Sequence, residues 1–185
     1  MKTLLTKYKL VIRFILTFGL VYAVLSLGYY FYLEYSDGSK YYPDYFTNMV
    51  AEQSNAVLNS VGYETVIQKH PNEPSMMVII KDKYIARVIE GCNSISVIIL
   101  FISFVLAFSD NLKRTLLFIL AGSVLIYTVN LIRIVILSIG LYHYPWRREE
   151  LHTVIFPLII YGMVFLLWMF WVNHFSKNLK KPINV

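Results

Sequence analysis

The chain contains a single cysteine, Cys92, in the run Glu90-Gly91-Cys92-Asn93-Ser94, directly ahead of an apolar stretch from Ile95 to Phe108. A thiol at that point stands near a membrane surface and near a helix start. Unpaired backbone amides and the positive end of the helix dipole there favour the thiolate. Arg133 lies inside a second long apolar run and His152 opens a third. A histidine close to a cysteine generates the thiolate and later protonates a leaving amine. A guanidinium in a water-poor site stabilises the negative charge that develops on a carbonyl oxygen. Thiol, imidazole and guanidinium together point to acyl transfer or peptide-bond cleavage through a thioester. A serine mechanism from Ser94 or Ser96 lacks the Gly-x-Ser-x-Gly frame.

These three residues need elements that bring them together, and the hydropathy pattern supplies them. Of the 185 residues 57% are hydrophobic, more than an ordinary water-soluble domain carries. The net charge of +6 does not imply nucleic-acid binding, because the cations fall in short clusters between apolar runs, as membrane orientation produces. One cysteine excludes an internal disulfide and a cysteine-rich metal site, and no His/Asp/Glu spacing matches a metal site. No metal and no cofactor is implied.

The expected fold is an all-α polytopic membrane protein with four transmembrane helices and a small α+β extracytoplasmic insert. The first span, Leu10 to Leu33, is long enough to cross ~30 Å of hydrocarbon and ends in Tyr29, Tyr30, Tyr32 and Tyr35, as interfacial aromatic belts do. It reads as an uncleaved span, since Ser26-x-Gly28 is a poor cleavage site. The polar insert covers 34–91. In it Tyr42-Pro43-Asp44 starts a helix with Phe46, Met49/Val50, Gln53, Val57 and Val61 on its apolar face, ended by Gly62. Strands are expected over 64–68, 76–81 and 84–89.

A membrane core follows over 92–172. Its spans run from about Asn93 to Phe108, from Thr115 to Leu141 (long enough to be tilted) and from Leu151 to Val172. A basic tail covers 173–185. The side holding both termini and the 109–114 turn carries nine Lys/Arg against one acid, Asp110, so it is expected to be cytoplasmic. The insert and the 142–150 loop then lie outside.

On that topology Cys92 and His152 fall at the outer ends of their spans. Arg133 falls ~12 Å below the end of the third span, counting 1.5 Å per residue from Leu141. Asn130, one turn before Arg133, is placed to orient it. Each residue also has a plainer reading. Cys92 can be a small buried hydrophobe, Arg133 can snorkel to lipid phosphates, and His152 can be an interfacial histidine. His143 is a rival in the same loop, and His70 lies in the insert.

The order Glu90-Gly91-Cys92-Asn93-Ser94-Ile95, Asn130-Leu131-Ile132-Arg133-Ile134 and a histidine opening the last span resembles the exosortase/archaeosortase family of membrane transpeptidases. That family carries a Glu-Ala-Cys-Ser-Gly-Ile-like motif, an Asn-x-x-Arg motif and a histidine at the start of a later helix. The likeness covers about 88–172, and the short four-span form is similar to the exosortase F type. Two departures stand out: Asn93-Ser94 replaces the usual Ser-Gly, and the spans number about half those of a full-length exosortase.

The resemblance implies that Cys92 is the nucleophile, Arg133 the oxyanion or positioning group, and His152 the acid/base. Asn130, Asn93 and Ser94 would position substrate. It implies partners that are exported proteins ending in a sorting signal, with membrane lipids around the site and an amine or lipid as possible acceptor. It implies a bacterial inner-membrane protein whose active site faces outward. A different class stays open: a non-catalytic membrane protein whose insert binds another envelope protein, for which Cys92 would be dispensable. A transporter is disfavoured by the single buried charge and the lack of paired broken helices.

Overall fold

The computed structural model describes residues 8–36, 38–109 and 111–174. The cations expected to mark the cytoplasmic side at Lys2, Lys7, Lys177, Lys180 and Lys181, and the acid Asp110, lie outside the described residues. The chain is mostly helical: α1 Lys9–Glu34, α2 Tyr45–Ser60, α3 Ile95–Ala107, α4 Leu112–His143 and α5 Phe156–His174. A three-stranded antiparallel sheet, β1 Thr65–Lys69, β2 Met76–Ile80 and β3 Lys83–Val88, sits between α2 and α3 in the chain.

Three segments are long and apolar enough to cross a membrane: Val11–Glu34, Leu112–His143 and Thr153–His174. The span expected over 93–108 is instead a 13-residue helix, α3. At 1.5 Å per residue it reaches ~20 Å, short of a ~30 Å hydrocarbon core. Its start is delayed because Ser94 adopts a left-handed conformation (φ 65°) and the Asn93 side chain accepts from Ile95 N at 2.9 Å. The chain therefore turns before it can wind into a helix.

Two cores are stacked along α4. In the bundle core Phe101, Val105, Ile126, Val164 and Trp171 are buried together, with Trp168 stacked on Phe104 at 4.3 Å. Helix α1 lies along α3, where Phe14 stacks on Phe108 at 4.3 Å. Gly122 lets α4 approach α3 closely, since a Cβ there would collide with the buried Phe101 ring. Small residues serve membrane helix contacts in this way, because packing there depends on close approach.

In the second core Val50, Ala51 and Leu58 of α2 meet Met76, Val78 and Val88 of the sheet and Ile134 and Val135 of α4. The C-terminal part of α4 thus packs against the insert. Beyond Asn130 the helix leaves the bundle and becomes the spine of the sheet-and-helix unit.

The insert follows the expected pattern with shifts of a residue or so. Asp44 caps α2 by accepting from Thr47 N at 3.1 Å, so Pro43 precedes the cap and does not occupy the first turn. The buried face of α2 is Thr47, Val50, Ala51, Ser54 and Leu58; of the expected set Val50 is buried, while Val57 and Val61 stay 36% and 56% exposed. Small and hydroxyl residues win that face because α4 and the sheet come close, and Ser54 Oγ satisfies itself on Val50 O at 2.7 Å. Lys81 and Asp82, both at positive φ, form the two-residue turn between β2 and β3.

The last span does not begin as a regular helix. Tyr144 is followed by a 3-10 turn at Pro145–Arg147, one helical turn at Arg148–Glu150 and a π turn at Leu151–Ile155. Pro157 cannot donate its main-chain nitrogen back along the chain, so the preceding turn widens before α5 settles.

Candidate active site

The segment bearing Cys92 is held at each residue. Ile89 is extended, and a 3-10 turn, Glu90–Cys92, follows it, with Cys92 N donating to Ile89 O at 2.8 Å. The Cys92 carbonyl accepts from Asn130 Nδ2 at 2.7 Å, a bond that ties the turn to α4. Asn130 is 2% exposed, so its amide has no water to fall back on. The expected partner of Asn130 was the arginine one turn later, but its amide is engaged by the Cys92 carbonyl. Asn93, 1% exposed, donates to Tyr29 Oη at 2.7 Å and Thr47 Oγ1 at 3.3 Å, joining the turn to α1 and α2. Tyr29 was expected only as a member of the interfacial tyrosine belt, and Thr47 was not singled out by the sequence. Ser94 Oγ donates to Asn93 O at 2.6 Å. Asn93 and Ser94 therefore shape the backbone beside Cys92, with their polar groups directed into the protein.

Glu90 is the one electrostatically uneasy member. Partial burial, and then the nearby Asp44 carboxylate, raise its pKa above the ordinary carboxylate value.

Cys92 and Arg133, both half-buried, line one cavity of about 540 Å³. Its other walls are Val78, Ala86, Arg87, Val88 and Ile89 from the sheet, and Ile134, Leu137, Ser138 and Leu141 from α4. Trp146, Arg148 and Thr153 close it from the irregular turns. Arg133 Nε is buried and has no hydrogen-bond partner among the described residues, so it is available to a group in the cavity. Arg133 stands at the junction of the two cores, ten residues (~15 Å) before the end of α4. The insert packs against one side of the 134–143 continuation of the helix, at Ile134, Val135, Leu137 and Leu141.

The backbone of His152 lies in the π turn, and its side chain is outside the described residues. Thr153, the next residue, reaches the cavity. The rival His143 is engaged with Tyr63 Oη at 3.0 Å. His70 stands in the β1–β2 loop, where its Nδ1 accepts from Asn72 N at 3.3 Å.

Sequence reading missed Arg148, Trp146 and Ser138. The only signal for the first two was a Trp-Arg-Arg run in a short loop, which orientation counting absorbed. Ser138, one turn beyond Ile134 on a buried face, gave no signal, since its hydroxyl bonds Ile134 O at 2.9 Å.

Fold and site define a polytopic membrane protein in which a lone thiol and a half-buried arginine share one cavity. The family model described as transmembrane exosortase (Exosortase_EpsH) matches residues 3–173, and the chain belongs to that family. The match takes in the first helix and the insert, well beyond the 88–172 stretch that carries the motifs. No curated protein and no solved structure matches the chain. Family membership makes a membrane transpeptidase the general class of activity.

Proposed function

We propose that the chain is a cysteine transpeptidase that cleaves C-terminal sorting signals of exported proteins and passes the new C-terminus to an acceptor amine or to water. The observation that carries this reading is the single cavity shared by Cys92 and Arg133, with Thr153, the neighbour of His152, on its wall. The Cys92 thiolate attacks the scissile carbonyl and a carbon–sulfur bond forms. Arg133 stabilises the oxyanion. As the carbon–nitrogen bond breaks, His152 supplies the proton to the departing amine. An incoming amine or water, deprotonated by His152, attacks the thioester and frees the thiol. Asn130 positions Cys92 through its carbonyl, and Asn93 and Ser94 hold the adjoining turn.

On this reading α3 is the second of four spans, a short one that begins at about Asn93 after the 3-10 turn. The termini are cytoplasmic, and the cavity opens on the outer face of a bacterial inner membrane.

The test titrates iodoacetamide alkylation of Cys92 against pH in the purified, liposome-reconstituted protein, for wild type and His152→Ala. The expected result is fast alkylation whose pH profile moves when His152 is removed. An unreactive thiol, or a profile indifferent to His152, would turn the assignment toward a non-catalytic membrane protein.

A further inference from the structure

The sheet order β1-β2-β3 leaves β3 paired on one side only. Among the described residues no turn, loop or side-chain hydrogen bond reaches the main chain of Lys83–Val88 from its other side. The start of β1 differs, because Asn59 bonds both Thr65 N and Thr65 O. Strand residues alternate between faces, yet three successive strand residues, Ala86, Arg87 and Val88, line the one cavity, with Ile89 just past the strand end. A cavity under one face would meet every second residue, so this one reaches round the edge of the strand. Three residues past Ile89 the same chain presents Cys92.

We propose that an extended peptide segment of the substrate adds to β3 as a fourth strand beside Ala86–Ile89 and is led along it to Cys92. This rests on Cys92 being the nucleophile. Main-chain pairing supplies the grip whatever the peptide sequence, and alternate side chains enter the cavity between the sheet and Leu137 and Leu141. The charged residues of the lining among those described are Arg87, Arg133 and Arg148. Arg87 is already paired with Glu73. A second copy offering its own β3 would set like charges together, whereas a neutral or acidic peptide would not.

The experiment uses the full chain in detergent micelles and a tetrapeptide vinyl sulfone library randomised at every side chain, with sets bearing one backbone N-methyl group at each position in turn. Labelling of Cys92 is expected to fall about tenfold when alternate positions are methylated and to stay unchanged at the positions between. An equal loss at every position, or none, overturns strand addition and leaves the nucleophile assignment standing. Hydrogen exchange on Cys92→Ala with the matching tetrapeptide amides reads the edge without the chemistry. Amides at 84–89 are expected to slow with added peptide, and no slowing overturns the proposal. Protection that rises with protein concentration alone identifies a second copy as the occupant and also overturns it. Slowing at 84–89 together with an unreactive wild-type Cys92 would keep the edge site and remove the transpeptidase reading.

Discussion

The two walls of the cavity are built in opposite ways. The wall carrying Cys92 is tied to three helices by polar groups that are nearly all satisfied: Asn130 on its carbonyl, and Tyr29 and Thr47 on Asn93. The facing wall, from Tyr144 to Ile155, passes through three helical types, and its Trp146 is 73% exposed. A nucleophile gains from being fixed before substrate arrives, because orientation is then settled in the fold. On the proposed mechanism the group that exchanges protons, and the side that lets substrate in, fall on the less regular wall, where π turns often mark functional positions.

Removing reacting groups should give the largest effects on that contrast. Cys92→Ala is expected to lower sorting-signal cleavage by about 10⁴-fold or more, and Arg133→Lys by about 10²-fold through loss of the oxyanion donor. Both should keep the wild-type melting temperature within a degree or two. Cleavage would be followed in cells by the size of an exported reporter. Retention of cleavage by Cys92→Ala would move the nucleophile elsewhere.

Next come variants that loosen the first wall without touching the reacting atoms. Asn130→Ala strands the buried Cys92 carbonyl and is expected to cost about 1–3 kcal/mol of stability. Trp146→Ala on the other wall should change it by less than about 0.5 kcal/mol. Thermal unfolding of the two in one detergent reads the difference, and equal losses would mean the walls are equally fixed. Gly122→Ala serves as a distant control. It forces Cβ into Phe101 and is expected to cost about 1–3 kcal/mol in the bundle while the alkylation profile of Cys92 stays put.

The membrane class, the sheet-and-helix insert and the placing of Cys92 and Arg133 on one cavity were legible because apolar length, Val/Ile-rich runs and a charge inside an apolar run are local signals. The role of Asn130 was not, since its carbonyl partner lies 38 residues away in the chain and either polar neighbour fits a helix pattern. The true extent of α3 was hidden because Asn93-Ser94 looks like an ordinary helix start, when the left-handed backbone at Ser94 stops the winding. The junction of the two cores along α4 was hidden for a related reason: the helix stays apolar from one core into the other, so hydropathy gives no mark of the change.

Ser94 itself offers a smaller test. The related motif has glycine at this place, and here a serine holds φ 65°, a conformation that costs a side chain about 1 kcal/mol and glycine almost nothing. The Ser94 hydroxyl recovers part of that through Asn93 O. Ser94→Gly is therefore expected to leave stability unchanged or raise it by up to about 1 kcal/mol, whereas Ser94→Val should lower it. A melting temperature that drops for Gly as for Val would mean that the hydroxyl, and not the backbone, is what the turn depends on.

The smallest expected effect concerns Glu90, the strained member of the otherwise satisfied wall. Its folded pKa lies above the unfolded value because burial and Asp44 disfavour the charged form. The native protein thus binds this proton more tightly than the unfolded chain does. The resulting stability is complete below the unfolded pKa of 4.5 and is lost as pH rises through the folded pKa. Glu90→Gln removes the titration, so the variant should gain on wild type as pH climbs from about 4 to 7, with the carbonyl bond from Asn130 untouched. Melting curves across that range read the difference between the two proteins. Parallel curves would show that Glu90 is solvated as freely as in the unfolded chain, and the nucleophile wall would then carry no stored electrostatic strain.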